Sequence, residues 1–209
     1  MAYAVKEIYL TLQGEGAHTG RSAVFCRFAG CNLWSGREAD RPTAVCQFCD
    51  TEFFGTDGEH GGTFQSADDL AELVSALWAG DGLPYVVCTG GEPLLQLDDA
   101  LVTALHQRGF EVAVETNGTL PVPAEVDWVC VSPKANTHLA IQAADELKLV
   151  FPQDGLEPSA FADFDAGHFF LQPMDGPKRA ENTLAAVEFC QRHPKWRVSA
   201  QMHKLLGIR

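Results

Sequence analysis

The sequence is short of positive charge. It has 15 Lys plus Arg against 28 Asp plus Glu, a net charge of −13. So acidic a chain is poorly suited to electrostatic capture of nucleic acid or of an anionic membrane face. It also lacks any apolar run of the roughly 18 residues that a membrane span needs. The first residues, MAYAVKEIYLTLQGEG, carry no basic segment followed by an apolar one, so no secretory signal is expected and the location expected is cytoplasmic. No repeat of solenoid length and no low-complexity segment is present. An even cysteine count is missing too: seven cysteines cannot close a disulfide framework, and in a reducing compartment ligation of a metal or cluster is the better question. With 209 residues, 46% of them hydrophobic, the chain suffices for one domain spanning 1–209.

Short apolar runs punctuate the chain at residues 23–28, 85–88, 111–115, 128–131, 147–151, 169–171 and 198–200. They lack clean alternation, as strands buried on both faces of a parallel sheet do. Helical patterns lie between them. Ser66 opens one as a cap, with Leu70, Leu73, Val74 and Leu77 on one face. A second runs from Leu97 to Arg108 and stops at Gly109. A third, from Glu181 to Arg192, is expected to bury Leu184, Val187 and Phe189 before Pro194. Alternating strand and helix predicts an α/β fold with a mostly parallel sheet.

Two features break this rhythm. Residues 29–64 show little periodicity, and so long a stretch in a compact domain is usually functional or tied down. Several predicted strands also end in polar punctuation: Thr89-Gly90-Gly91-Glu92-Pro93, Thr116-Asn117-Gly118, Ser132-Pro133-Lys134 and Gln172-Pro173-Met174-Asp175. Ligands of parallel α/β folds gather at the carboxyl ends of strands, so these ends are expected to share one site. Taken singly, each is ordinary turn chemistry.

Cys31, Cys46 and Cys49 form a Cys-x14-Cys-x2-Cys array. Soft thiolates suit an iron–sulfur cluster or zinc. A structural zinc site takes four ligands, and three leave a position open. His18, His60 or Cys26 could supply a fourth, so spacing alone leaves both metals in play. Cys88, Cys130 and Cys190 sit in apolar patterns, where a free cysteine is usually a small buried hydrophobe, and Cys26 belongs with them. The remaining histidines, and His18 and His60 if they bind no metal, are expected to be solvated.

The surroundings of the array carry more. Leu12-Gln13-Gly14-Glu15-Gly16, then Phe25-Cys26-Arg27-Phe28-Ala29-Gly30-Cys31-Asn32-Leu33-Trp34, then Cys46-Gln47-Phe48-Cys49-Asp50-Thr51 resemble the 7-carboxy-7-deazaguanine synthase family of radical S-adenosylmethionine enzymes. The strand-end motifs, Glu115 ahead of Thr116, and Gln201-Met202-His203-Lys204 continue the match in order over essentially the whole chain. One departure stands out. The commoner radical-enzyme spacing is Cys-x3-Cys-x2-Cys; here Ser35 takes the second position, and an insertion delays that cysteine to Cys46.

The resemblance implies a partial (β/α)6-type barrel, abbreviated, with an enlarged cluster loop at 31–49 placed after the first strand. It implies that Cys31, Cys46 and Cys49 hold a [4Fe–4S] cluster, and that Phe48, Cys49, Asp50, Gly90, Gly91, Glu92, Asn117, Ser132, Lys134, Gln172 and Asp175 border S-adenosylmethionine, with Glu92 receiving its ammonium group. It implies that Leu12, Gln13, Gly14, Glu15, Arg27, Thr89, His203 and the main-chain carboxylate of Arg209 meet 6-carboxy-5,6,7,8-tetrahydropterin, Arg27 as a forked donor to its carboxylate. Thr51 would serve Mg²⁺, an electron donor such as flavodoxin would reduce the cluster, and two chains would form a homodimer. A different radical enzyme, such as a glycyl-radical activase, and a zinc-stabilised binding module are the alternatives.

Overall fold

The structure is a computed structural model that describes residues 2–209. Its strands are β1 (Tyr3–Leu12), β2 (Ser22–Phe28), β3 (Gly62–Phe64), β4 (Tyr85–Gly90), β5 (Glu111–Thr116), β6 (Trp128–Val131), β7 (Ala143–Phe151), β8 (Asp165–Pro173) and β9 (Trp196–Val198). They form one nine-stranded sheet in the order β3-β1-β2-β4-β5-β6-β7-β8-β9. From β2 to β9 every pairing is parallel, whereas β1 is antiparallel to both β2 and β3. The helices are α1 (Ala67–Leu77), α2 (Asp99–His106), α3 (Arg179–Arg192) and the short α4 (Met202–Leu206).

Each parallel run foreseen from the sequence is a strand, although the last lies at Trp196–Val198 and not at 198–200. β1 and β3 were not foreseen, so the cluster loop follows the second strand. β1 hides behind Lys6, a buried lysine in mid-strand whose ammonium is held by Glu52 Oε1 (2.9 Å), Asp57 Oδ1 (2.7 Å) and the Phe54 carbonyl (3.0 Å). These three contacts also tie down part of the aperiodic stretch 29–64.

Helices cover one face of the sheet. Leu70, Ala71 and Val74 of α1 and Leu101, Val102 and Leu105 of α2 pack with Val24, Val86, Val112 and Val114; Ala186 of α3 packs with Leu147, Leu149 and Leu171. Each large side chain so buried contributes about 1.5–3 kcal/mol. Ser66 Oγ accepts from Asp69 N at 3.1 Å and starts α1. Asp98 Oδ1 caps α2 through Leu101 N (3.0 Å) and also accepts from the Tyr3 hydroxyl (2.7 Å), joining α2 to β1. α3 packs Phe189 on the core as expected but turns Leu184 and Val187 outward. Leu184 is 72% exposed, and Asn182 and Ala186 are the buried residues. Asn182 Nδ2 donates to the Met174 carbonyl at 2.9 Å, so a polar anchor to the β8–α3 connection sets the helix rotation.

The other face of the sheet is concave. A few apolar residues, Ala23, Tyr85, Val87 and Ala113, floor it near the strand starts. Towards the strand ends it turns polar, and the register levels the site: Arg27 pairs with Thr89, Phe28 with Gly90, Thr116 with Val131 and Val150 with Gln172. This is a partial barrel, abbreviated because the β5–β6 and β6–β7 connections carry no helix.

Candidate active site

The cluster loop leaves the end of β2 through Gly30, whose φ of +89° favours glycine. The insertion folds back on itself. The Leu33 carbonyl accepts from both Val45 N (3.1 Å) and Cys46 N (3.3 Å), so the late cysteine returns beside the place where Cys-x3-Cys spacing would have put it. Arg41 fastens the fold: its guanidinium lies 4.0 Å from the Trp34 ring centroid and Nη1 donates to the carbonyls of Gln47 and Cys49, both at 3.0 Å.

Cys31, Cys46 and Cys49 then line one cavity of about 180 Å³, with Phe48, Asp50, Gly90, Gly91, Asn117, Ser132, Lys134, Gln172 and Asp175. Burial pushes the Cys31 thiol up, opposed by the main-chain amides of Leu33 and Trp34; burial likewise raises Cys49. Lys134 faces the same space. Its Nζ donates to Ser132 O (2.5 Å) and Oγ (2.8 Å) and forms no ion pair with a carboxylate among the described residues. Burial lowers its pKa, and the nearby thiols of Cys46 and Cys49 oppose that. Three thiols and a cation without a carboxylate partner fit a thiolate-held cluster together with a ligand that carries a carboxylate.

A second cavity of about 360 Å³ adjoins the first, lined by Leu12, Gln13, Gly14, Glu15, Arg27, Thr89, His203 and Arg209 among others. The two share Glu15, Asp50, Thr51, Thr89, Glu115 and Gln201 as a common wall. Arg27 already gives Nε to Glu7 Oε1 and Nη2 to the Tyr9 hydroxyl, both at 2.9 Å. These bonds fix its plane, and Nη1 carries no bond among the described residues. Arg209 lies over the Tyr9 ring at 4.9 Å, pairs with Glu7 (3.1 Å) and Glu59, and accepts from Thr11 Oγ1 (2.6 Å) on its main-chain oxygen.

Some expectations change. Glu92 is fully buried and is not part of the cavity wall. Its carboxylate accepts from Leu94 N (3.0 Å), Thr116 Oγ1 (2.7 Å) and Asn117 N (2.8 Å), so it braces two strand ends. Gly90 and Gly91 do line the cavity, but what demands glycine is the neighbouring chain. A Cβ at Gly90 would fall 2.3 Å from the Phe28 carbonyl oxygen, and one at Gly91 2.2 Å from that of Gly30. His18 bonds the Tyr85 hydroxyl (2.9 Å) and lies tilted against Trp128 with ring centroids 4.0 Å apart, while His60 bonds the Ile8 carbonyl (3.1 Å). Neither joins the thiols, and neither is merely solvated. His168 stacks on Trp128, and His106 bonds Asp127. Cys26 is buried in the core, as expected.

Other residues join the site without a role having been expected of them. Lys148 pairs with Glu15 (2.7 Å) and Glu115 (2.6 Å). Its signal was a lone lysine within the run Leu147-Lys148-Leu149. Lys204 bridges Asp50 (2.5 Å) and Asp175 (2.6 Å), and Gln201 donates to Glu15 and Asp50, both at 3.1 Å. α4 is thereby fastened to the walls of both cavities.

Thiols at the end of β2 and a cavity ringed by parallel strand ends define a radical S-adenosylmethionine protein. Residues 41–207 match the Radical SAM superfamily, a match that begins beyond Cys31 and most of the insertion. The chain is 62% identical over 211 residues to the 7-carboxy-7-deazaguanine synthase of Caulobacter vibrioides and 61% identical over 210 residues to that of Bradyrhizobium diazoefficiens, covering 100% of each chain. Among solved structures it is similar to QueE from Escherichia coli, with a TM-score of 0.73 and 28% identity over 97% of this chain and 95% of that one. The chain belongs to the 7-carboxy-7-deazaguanine synthase family. Membership in the superfamily implies a [4Fe–4S] cluster and S-adenosylmethionine. No helix among the described residues is long and apolar enough to cross a membrane.

Proposed function

We propose that the chain converts 6-carboxy-5,6,7,8-tetrahydropterin to 7-carboxy-7-deazaguanine with loss of ammonia, on the route to queuosine and other 7-deazapurines. The observation that carries this is the common wall: a thiol-lined cavity and a cavity with carboxylates, a forked arginine and a histidine share Glu15, Thr51, Thr89 and Glu115. When bound, the cluster and S-adenosylmethionine supply a 5′-deoxyadenosyl radical.

In this reading Cys31, Cys46 and Cys49 hold the cluster. Lys134 balances the carboxylate of S-adenosylmethionine, and Phe48, Asp50, Asn117, Ser132, Gln172 and Asp175 shape its pocket. Gly90 and Gly91 line that pocket with main chain held close against Phe28 and Gly30. Gln13 and Glu15 face the hydrogen-bonding edge of the ring, with Leu12 and Gly14 offering main chain. Arg27, held in plane by Glu7 and Tyr9, presents Nη1 to the substrate carboxylate. Thr89 and His203 close the sides, and the main-chain carboxylate of Arg209 lies at the rim. Thr51 offers its hydroxyl to Mg²⁺, a hard ion that takes few protein ligands and keeps water. α4 excludes solvent while Lys204 holds it in place.

The whole of 1–209 acts as one domain, because one sheet runs through it. A homodimer, reduction by a flavodoxin-type donor and a cytoplasmic location complete the reading, carried by the family resemblance. The test is anaerobic reconstitution with iron and sulfide, followed by S-adenosylmethionine, a reductant, Mg²⁺ and the pterin. Formation of 7-carboxy-7-deazaguanine is expected. A cluster-loaded protein that cleaves S-adenosylmethionine yet leaves the pterin unchanged overturns the reading.

A further inference from the structure

Behind the common wall lies a charge triad of one buried lysine and two half-buried carboxylates. Lys148, 3% exposed, rises from β7 with Nζ 2.7 Å from Glu15 Oε2 and 2.6 Å from Glu115 Oε2. One ammonium against two carboxylates, +1 − 2, leaves −1. Gln13 Nε2 donates to Glu115 Oε1 (2.8 Å) and Gln201 Nε2 to Glu15 Oε1 (3.1 Å), which orients both carboxylates without neutralising them. Both border the substrate cavity, whereas Lys148 borders only its neighbour. A net negative charge on half-buried carboxylates is costly unless a ligand brings donors to it.

We propose that Lys148 is the positioning residue that decides which ring edge the substrate cavity accepts. Paired with Glu15 and Glu115 at once, it holds both as acceptors, so the wall selects adjacent N–H donors, such as the 2-amino-pyrimidinone edge, over carbonyl oxygens. The proposal rests on the pterin-type reading given above. Burial works against the charge of Glu15, but Lys148, Gln201 and Gln172 more than offset it and hold this carboxyl well below the ordinary range. Burial also works against the charge of Lys148, and Cys130, Glu115, Glu15 and Glu146 together hold it up.

The experiment is a fluorescence titration of anaerobic, cluster-loaded protein with 6-carboxypterin and with 6-carboxylumazine, in which a carbonyl replaces the 2-amino group. The parent is expected to favour 6-carboxypterin by about tenfold or more, because the wrong ring leaves half-buried acceptors facing an oxygen. In Lys148→Met one carboxyl takes up a proton and becomes a donor, so the preference falls to within about threefold. Lys148→Arg restores it. Iron content and melting temperature check the fold. If Lys148→Met fails to fold, Lys148→Met with Glu115→Gln keeps the triad at −1 and is expected to lose the preference in the same way. A folded, iron-replete Lys148→Met or double variant that retains the parent's preference overturns the proposal, as does a parent that binds both rings equally. A parent that binds neither ring overturns the substrate reading itself.

Discussion

Gly14 and His203 touch so closely that a Cβ on Gly14 would lie 2.3 Å from His203 Nδ1 and 3.0 Å from its Cγ. The contact joins the loop after β1 to α4, and the Gly14 carbonyl accepts from Met202 N at 2.8 Å beside it. Gly14→Ala should push the imidazole and α4 outward. The expected result is a KM for the pterin raised about tenfold or more with unchanged iron content, from loss of positioning alone. A KM equal to the parent's would show that the contact yields without consequence.

Cys31→Ala, Cys46→Ala and Cys49→Ala should each abolish the cluster. Cys88→Ala and Cys190→Ala should not, because Cys88 is buried in the core and Cys190 lies on the packed side of α3. Removing Cys88 costs about 1 kcal/mol of stability and no iron. Anaerobic iron analysis of the five variants decides, and a full cluster in any of the first three refutes the ligand set.

Arg27→Lys keeps the charge but gives up the fork that Glu7 and Tyr9 hold in plane. Affinity for the pterin should fall about tenfold, or roughly 1.4 kcal/mol. Unchanged affinity by titration would remove Arg27 from the site.

Thr51 lines both cavities. Thr51→Val should spare the cluster and the binding of S-adenosylmethionine while abolishing most of the Mg²⁺ stimulation of turnover. A variant that responds to Mg²⁺ like the parent places the ion elsewhere.

Lys204 bridges Asp50 and Asp175 and so holds α4 to the cavity walls. Its hydrogen bond pulls the Asp175 carboxyl below the usual range. A carboxyl depressed in the folded state stabilises above its unfolded pKa of about 4, and that contribution is lost as pH falls through the lowered value. Lys204→Met should speed amide exchange at residues 202–206 near neutral pH. On acidification the parent should approach the variant's rate. Identical exchange in both at neutral pH would show that the bridge holds nothing.

The parallel strands and the polar strand ends that line the cavity were legible along the chain, because both are local. Buried strands need unbroken apolar runs, and a parallel sheet places its ligands at strand ends, so Gly90, Asn117, Ser132 and Gln172 stood out by position. The array Cys31, Cys46 and Cys49 with its flanking motifs determined the family. Only the tertiary structure decided what those residues face. Glu92 turns inward because Thr116 and Asn117, 24 and 25 residues on, arrive with donors. Lys6 and Lys148 look out of place in strands until carboxylates distant in sequence reach them: Glu52 and Asp57 for the first, Glu15 and Glu115 for the second. α3 shows the same limit, since one bond from Asn182 to Met174 turned Leu184 to solvent against its apolar pattern. A hydrophobic pattern records what must leave water, whereas the partner of a buried charge is chosen by the fold, and no local spacing encodes it.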